Sequence, residues 1–225
     1  MKNTLLFSSL LCISGVFAQE SSHNVSLGVS NNGQLSSTID DFYLDNDIIG
    51  FPSSSTTAFK INAEYSFKSK NNLEFGLTAG YAQRDGKYKI STTEGKYSQQ
   101  YYSATPFLLK VWSFDRLQLS TGAGIPLYYI SDLEDVRTST LKVTRTTDGG
   151  MAFGLNSITR LKFHFTEKLF LVTAVNFGIL HSDLGGQVRF KWENGNFAGP
   201  ASNPLEHNST VLTAPEFSFG IGFKI

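Results

Sequence analysis

Phe59-Lys-Ile-Asn-Ala-Glu-Tyr-Ser-Phe-Lys68 decides how the rest of the chain is read. Phe59, Ile61, Ala63, Tyr65 and Phe67 alternate with Lys60, Asn62, Glu64, Ser66 and Lys68. Successive side chains of a β-strand point to opposite faces, so this segment predicts a strand with one apolar face and one charged face. A helix would mix the two sets around its axis.

Working outward, the same period of two recurs. Leu73, Phe75, Leu77, Ala79 and Tyr81 oppose Glu74, Gly76, Thr78 and Gly80. Leu117, Leu119, Thr121, Ala123, Ile125, Leu127 and Tyr129 oppose Gln118, Ser120, Gly122 and Gly124. Phe153, Leu155, Leu161, Phe163 and Phe165 oppose Asn156, Arg160, Lys162 and His164. Phe217, Phe219, Ile221, Phe223 and Ile225 oppose Glu216, Ser218, Gly220, Gly222 and Lys224. Segments near 24–31, 99–111 and 169–181 follow the rule less strictly, which brings the expected strands to eight. Short turns at Ser69–Asn72, Ser113–Arg116 and Thr166–Lys168 alternate with long polar loops over 32–56, 84–98, 131–150 and 182–211. Short turns at one end and long loops at the other are the pattern of an up-and-down transmembrane β-barrel, with turns periplasmic and loops outside. An even strand count returns the N-terminus and the C-terminus to the periplasmic side.

A soluble barrel would alternate as well, with its apolar face inside. Two observations turn the apolar face outward. None of its positions in the segments above carries a charge, whereas a charge facing mid-bilayer costs about 2–4 kcal/mol. Gly28, Gly76, Gly80, Gly122, Gly124, Gly154, Gly178, Gly220 and Gly222 all lie on the polar face. Glycine weakens a solvated strand but makes room in a crowded lumen. The lumen is then expected to hold Lys60, Glu64, Glu74, Lys110, Arg160 and Lys162, with the glutamates pairing with Lys110 and Arg160. Eight strands leave an interior filled by such side chains, not an open pore. Aromatics at the strand ends predict girdles: Phe67, Trp112, Phe165 and Phe223 toward the turns, Tyr81, Tyr101, Tyr129 and Phe153 toward the loops. The ordinary enrichment of strands in aromatics is the competing account. Pro106 and Pro126 fall inside strands and predict bulges or a local break in pairing.

Composition bounds the rest. Nineteen basic and nineteen acidic residues cancel, so no net field recruits nucleic acid or an anionic membrane surface. Mean hydropathy is -0.12, and no stretch approaches the roughly 20 apolar residues of a helical membrane span. The first 18 residues read as a signal peptide: Lys2, an apolar run from Leu5 to Val16, and Val16-Phe17-Ala18 as the cleavage site between Ala18 and Gln19. Residues 19–225 would then be one barrel domain. Cys12 is the only cysteine, and Leu11 before it argues against a lipidation signal. The mature chain then has no disulfide to rely on.

The run Thr105-Pro-Phe-Leu-Leu-Lys-Val-Trp112, followed by Gly122-Ala-Gly-Ile-Pro-Leu127, resembles stretches of the PorT-like outer membrane β-barrel family. The closing Phe217–Ile225 resembles the family's last strand, and the mature chain is similar by pattern to OmpX-like and OmpA-like small barrels. The resemblance implies an integral outer membrane location, and either a plain barrel or an accessory part of secretion machinery.

Candidate chemistry is thin. His181-Ser182-Asp183 is the one cluster that looks like the hydrolase kit of a lipid-modifying barrel, but neighbouring strand residues face opposite ways. His164 is expected in the lumen, and His23 and His207 are isolated, so no metal or cofactor is expected. The partners expected are outer membrane lipid and envelope proteins meeting the four long loops. Of these, Gly86–Gln100 and Gly186–Phe197 keep some alternation, as in Val188-Arg-Phe-Lys-Trp192, and could extend as hairpins beyond the membrane that offer strand edges. The first loop sets Asp40, Asp41, Asp45 and Asp47 beside Phe42, Tyr43, Ile48, Ile49 and Phe51, a composition suited to cations or protein. Three functions stay open: a non-enzymatic structural, adhesive or accessory barrel; a narrow channel for small solutes; and a lipid-modifying enzyme.

Overall fold

The computed structural model describes residues 22–31, 59–90, 92–138, 142–193, 197–198 and 205–225. The expected signal peptide with its Ala18–Gln19 cleavage, and the loop over 32–56, lie outside the described residues. Fourteen strands make one sheet among the described residues, every pairing antiparallel. They are β1 (Ser22–Asn31), β2 (Phe59–Lys68), β3 (Leu73–Ile90), β4 (Thr93–Phe114), β5 (Leu117–Gly124), β6 (Leu127–Ile130) and β7 (Leu133–Thr138). β8 (Lys142–Thr147), β9 (Gly150–His164), β10 (Leu169–Gly186), β11 (Val188–Trp192), β12 (Phe197–Ala198), β13 (Leu205–Leu212) and β14 (Glu216–Lys224) complete it.

Neighbouring pairs run β1–β2, β2–β3 and β3–β4. β4 then pairs with β5 and β6, and both of these pair with β9. β9 pairs with β10, β10 with β13 and β14, and β14 with β1. The turns that join these strands are tight. Asn72 takes φ 57° at the end of the β2–β3 turn and Asp115 takes φ 49° between β4 and β5, a left-handed conformation that Asn and Asp tolerate better than most residues. In the β9–β10 turn, Thr166 Oγ1 accepts the backbone N–H groups of Lys168 and Leu169 at 3.3 and 3.0 Å. Lys224 donates its backbone N–H to the Lys168 carbonyl at 2.7 Å, so the chain ends beside this turn.

Pro126 breaks the ladder between β5 and β6 without shifting it. Phe107 pairs with Gly124 and Ala104 with Leu127, so equal numbers of residues face each other across the gap. Ile125 N–H reaches the Pro106 carbonyl at 3.0 Å, and Gly154 N–H reaches that of Pro126 at 3.1 Å. The bulge sits elsewhere. Between β13 and β14, Thr213, Ala214 and Pro215 lie opposite only Phe177 and Gly178, and the inward face passes from odd to even residues there.

The loops expected over 84–98, 131–150 and 182–211 are mostly strand. β3 and β4 run on as a hairpin, β7 and β8 form a second, and the ladder β4–β7–β8–β11–β12 carries the sheet beyond the tyrosines of the strand ends. Two of their links are pinned by charge to β11: Arg189 meets Asp132 at 2.9 Å and Asp148 at 2.7 Å.

Strand β4 departs from the expectation at Lys110 and Tyr101, while Trp112 faces outward as expected. Tyr101 (2% exposed), Phe107, Leu109 and Val111 face inward, while Tyr102, Leu108, Lys110 and Trp112 face outward. Lys110 therefore leaves the expected lumen set, and Tyr101 leaves the expected girdle. Both faces of this strand are apolar, so alternation cannot choose between them. The interior chooses: the Phe107 ring lies against the space above Gly76, and Leu109 packs in a cluster with Phe107 and Ile158. Outside, Lys110 Nζ reaches back 3.0 Å to the Asn71 carbonyl in the β2–β3 turn, carrying its charge toward water.

Elsewhere the outer surface is an apolar band. Leu27, Ile61, Leu77, Leu119, Leu155, Ile179 and Phe219 are all exposed, from 40% to 65%. A soluble monomer rarely exposes more than about 300–600 Å² of contiguous apolar surface, and this band spans strand after strand.

Candidate functional site: the interior network

The inner face is layered. Toward the turns, Lys68, Gln118, His164 and Lys224 line a mouth of about 450 Å³. Above it lies the ion network, assembled by β2, β3 and β9 because Glu64, Glu74, Arg160 and Lys162 share the inward parity of their strands. Arg160 donates to Glu64 at 2.8 Å and to Glu74 at 3.3 Å, and Lys162 meets Glu74 at 2.6 Å. The Ser66 hydroxyl gives Glu74 a third bond at 2.5 Å, and Thr78 bonds Glu64 at 3.2 Å. Aromatic faces hold the cations from the other side: the Arg160 guanidinium stands 4.6 Å from the Phe107 ring centre and Lys162 Nζ 5.1 Å from that of Phe170.

A second pair closes the next layer. Lys60 meets Glu216 at 2.6 Å, with both side chains under 10% exposed. Ser30 donates to Glu216 at 3.2 Å and Asn62 to Ser30 at 2.9 Å. Beside this pair lies a cavity of about 60 Å³, room for a few waters and no more. Above it, Tyr97, Tyr101, Tyr128, Ile130, Leu133, Leu180 and Leu184 form a buried apolar layer. Lys60, Arg160 and Lys162 are thus matched by Glu64, Glu74 and Glu216, and these central layers carry no net charge. Bringing the six together costs several kcal/mol of desolvation per ion, which only mutual contact and hydrogen bonding offset.

Five of the six sequence-derived lumen residues lie in this network: Lys60, Glu64, Glu74, Arg160 and Lys162. Lys110 lies outside it, for the reason given above. Glu216 is the member that sequence reasoning left out. Its position opposite Phe217 put it on the polar face, but only the β14–β1–β2 ladder sets it beside Lys60 through Ser218↔Ser30 and Ser30↔Lys60.

The aromatics of the strand ends divide into two bands. Trp112, Phe165 and Phe223 are exposed toward the turns, and Phe67 packs against His23 with ring centres 5.4 Å apart. At the other end Tyr129 and Phe153 are exposed, and Tyr81, Tyr102 and Tyr129 form a row with ring centres 5.3 and 6.3 Å apart. Tyr102 holds the place expected of Tyr101, whose hydroxyl bonds Gln99 inside at 2.8 Å.

The hydrolase-like triplet comes apart in space. Ser182 is fully buried and shares a 3.0 Å bond with Ser209, while His181 stacks edge-on against Phe153 outside and meets Thr210 at 2.9 Å. His164 stays inward beside Phe170, ring centres 5.4 Å apart. Among the described residues no group of three His, Cys, Asp or Glu could hold a metal ion.

No family model matches the chain, and no curated protein matches it. Among solved structures it is similar to a major outer membrane protein of Thermus thermophilus, at 11% identity over 92% of this chain and 100% of that one, with a TM-score of 0.52. It is also similar to Ail, the attachment invasion locus protein of Yersinia pestis, at 11% identity over 92% and 100%, with a TM-score of 0.42. Neisserial surface protein A is similar at 13% identity over 91% and 96%, with a TM-score of 0.40. Identities this low speak of fold alone, and of these three the Thermus protein is similar enough to carry that argument. The all-strand antiparallel sheet, apolar outside and polar within, has the fold of an outer membrane β-barrel protein.

Proposed function

We propose that the chain is an integral outer membrane barrel of eight staves with a closed lumen, and that it works without catalysis, as a rigid base for an extramembrane β-sheet that meets envelope partners. The staves are β1, β2, β3, β4, β5 with β6, β9, β10, and β14 continued by β13. Turns and both chain ends face the periplasm. The observation that carries the reading is the pairing of an exposed apolar band outside with a neutral, densely paired ion network inside. A lumen filled in this way suits an anchor better than a conduit. The separation of His181 from Ser182 by the barrel wall favours a non-enzymatic role over lipid modification.

Trp112 and Trp192 are the two tryptophans, so one substitution isolates each. In a Trp192→Phe variant reconstituted with brominated lipids, Trp112 fluorescence should be strongly quenched. A chain that stays soluble, or a Trp112 that the lipids leave unquenched, would overturn the membrane assignment. Planar bilayers should show no discrete openings; regular unit conductance would instead favour the narrow channel. Deletion and overexpression should leave the lipid profile unchanged, and a modified lipid would favour an enzyme.

A further inference from the structure

The sheet beyond the tyrosine row carries its charges in an order. Reading upward along the outer face, Tyr81 and Tyr102 pair directly and bond Gln83 and Gln100, each at 2.9 Å. Next comes an acidic row, in which Asp85 and Glu134 flank Ser98. The row above it is basic, with Lys87 directly opposite Lys96. Above that, Lys89, Glu94 and Lys142 lie on three strands bridged by Thr138. Lys87, Lys89, Lys96 and Lys142 line one groove of about 730 Å³, with Glu94 as its single carboxylate. Of these ammonium groups only that of Lys89 meets a carboxylate of the described residues, Glu94 at 3.7 Å.

Like charges directly opposite on neighbouring strands destabilise a sheet. Lys87 and Lys96 therefore carry a cost in the free protein that a bound anion removes. In a chain with equal numbers of acids and bases, gathering four lysines on one groove leaves a strongly positive spot.

Height names the anion. Tyrosine belts sit at headgroup level, and the headgroup layer is roughly 5–8 Å deep on each side. Six residues from Tyr81 to Lys87, at about 3.3 Å each and tilted about 40–45°, rise about 14–15 Å above the belt. That is above the phosphate of a plain phospholipid, and the acidic row at Asp85 and Glu134 lies in between and repels it. Sugars projecting from an outer-leaflet glycolipid reach this level.

We infer that the groove of Lys87, Lys89, Lys96 and Lys142 binds the phosphate- or carboxylate-bearing sugars of an outer-leaflet glycolipid. The inference rests on the membrane orientation proposed above, and its test separates the two. The full chain is reconstituted in phosphatidylcholine nanodiscs carrying lipopolysaccharide with a phosphorylated core. Glycolipid retained per protein is compared with that of a Lys87→Ser/Lys96→Ser/Lys142→Ser variant, whose changes lie clear of the bilayer and of the interior network. Wild type should retain the glycolipid at least ten-fold longer than the variant, and 0.5 M salt should erase the difference. Nanodiscs with lipid A lacking core sugars, or with phosphatidylglycerol, should show no difference between the two proteins. Equal retention by the variant overturns the inference, as does equal preference for lipid A or phosphatidylglycerol. Tight binding of soluble polyphosphate to the protein in detergent, unmatched by glycolipid, assigns the groove to a free polyanion instead. Failure of either protein to enter nanodiscs would overturn the membrane reading itself, and the groove assignment with it.

Discussion

Glu74→Gln is the sharpest perturbation of the interior. The substitution keeps size and one acceptor oxygen but removes a charge that is 1% exposed. Glu74 Oε1 receives Lys162 at 2.6 Å, Arg160 at 3.3 Å and Ser66 at 2.5 Å, so three bonds weaken together. Arg160 keeps Glu64 at 2.8 Å, whereas Lys162 is left facing the Phe170 ring with no carboxylate in contact. The central layers then hold three cations against two carboxylates. Removing one partner from a buried pair costs about 3–5 kcal/mol, a factor of roughly a hundred or more in the ratio of folded to unfolded protein. Denaturant unfolding of the protein in lipid vesicles, followed by tryptophan fluorescence, measures this loss. Glu74→Gln/Lys162→Met restores the charge balance and should bring stability back to within about 2 kcal/mol of wild type, because an apolar replacement needs no desolvation. A loss below about 1 kcal/mol for Glu74→Gln would show that Glu74 is not a desolvated partner of Lys162 and Arg160. So would a double variant no more stable than the single one. Either result would mean that water solvates these ions and that the lumen is wet, not packed.

Three further outcomes are expected from the same assay. Lys110→Leu should be neutral or stabilising by up to about 2 kcal/mol, since its ammonium faces outward and bonds only the Asn71 carbonyl; a loss of several kcal/mol would return Lys110 to the lumen. Gly222→Ala should cost about 1–3 kcal/mol, because a methyl group there meets the Phe170 ring and lies 2.9 Å from Ser26 Cβ. Adding Phe170→Leu should recover part of it, and no recovery would place the strain in the backbone. Arg189→Gln should change global stability by less than about 1 kcal/mol, as its pairs with Asp132 and Asp148 are half exposed, yet protease cleavage of the 131–150 segment should quicken.

Much of this architecture was legible because two faces of unlike chemistry and a period of two leave little freedom. In β2, β14 and β3 up to Tyr81 the apolar residues alternate without interruption, and in β9 Leu161 and Phe163 oppose Arg160 and Lys162, so a one-residue slip would put charges into the apolar band. The interior ions Lys60, Glu64, Glu74, Arg160 and Lys162 follow directly from that parity. β4 escaped the argument because Tyr101, Phe107, Leu109 and Val111 are as apolar as Tyr102, Leu108 and Trp112. Its orientation is set by long-range fit: Phe107 beside Gly76 and under Arg160, a contact between three strands that no local pattern contains. The continuation of β14 into β13 hid for another reason. The extra residue at Ala214–Pro215 reverses parity between β13 and β14, so two strands in line along β10 read as unrelated patterns.

Residue order alone shows that the chain builds strands with one apolar and one polar face, that the turns and long connections alternate, and which residues carry charge inward on the strictly alternating strands. Local alternation suffices for that, since each residue's face depends only on its neighbours. Long-range contacts decided which carboxylate meets which cation, that Glu216 completes the count, that Lys110 stays outside, and in what order the strands of the long connections pair. Those outcomes depend on register between strands far apart in the chain, where closeness comes from the curl of the sheet and not from spacing in sequence.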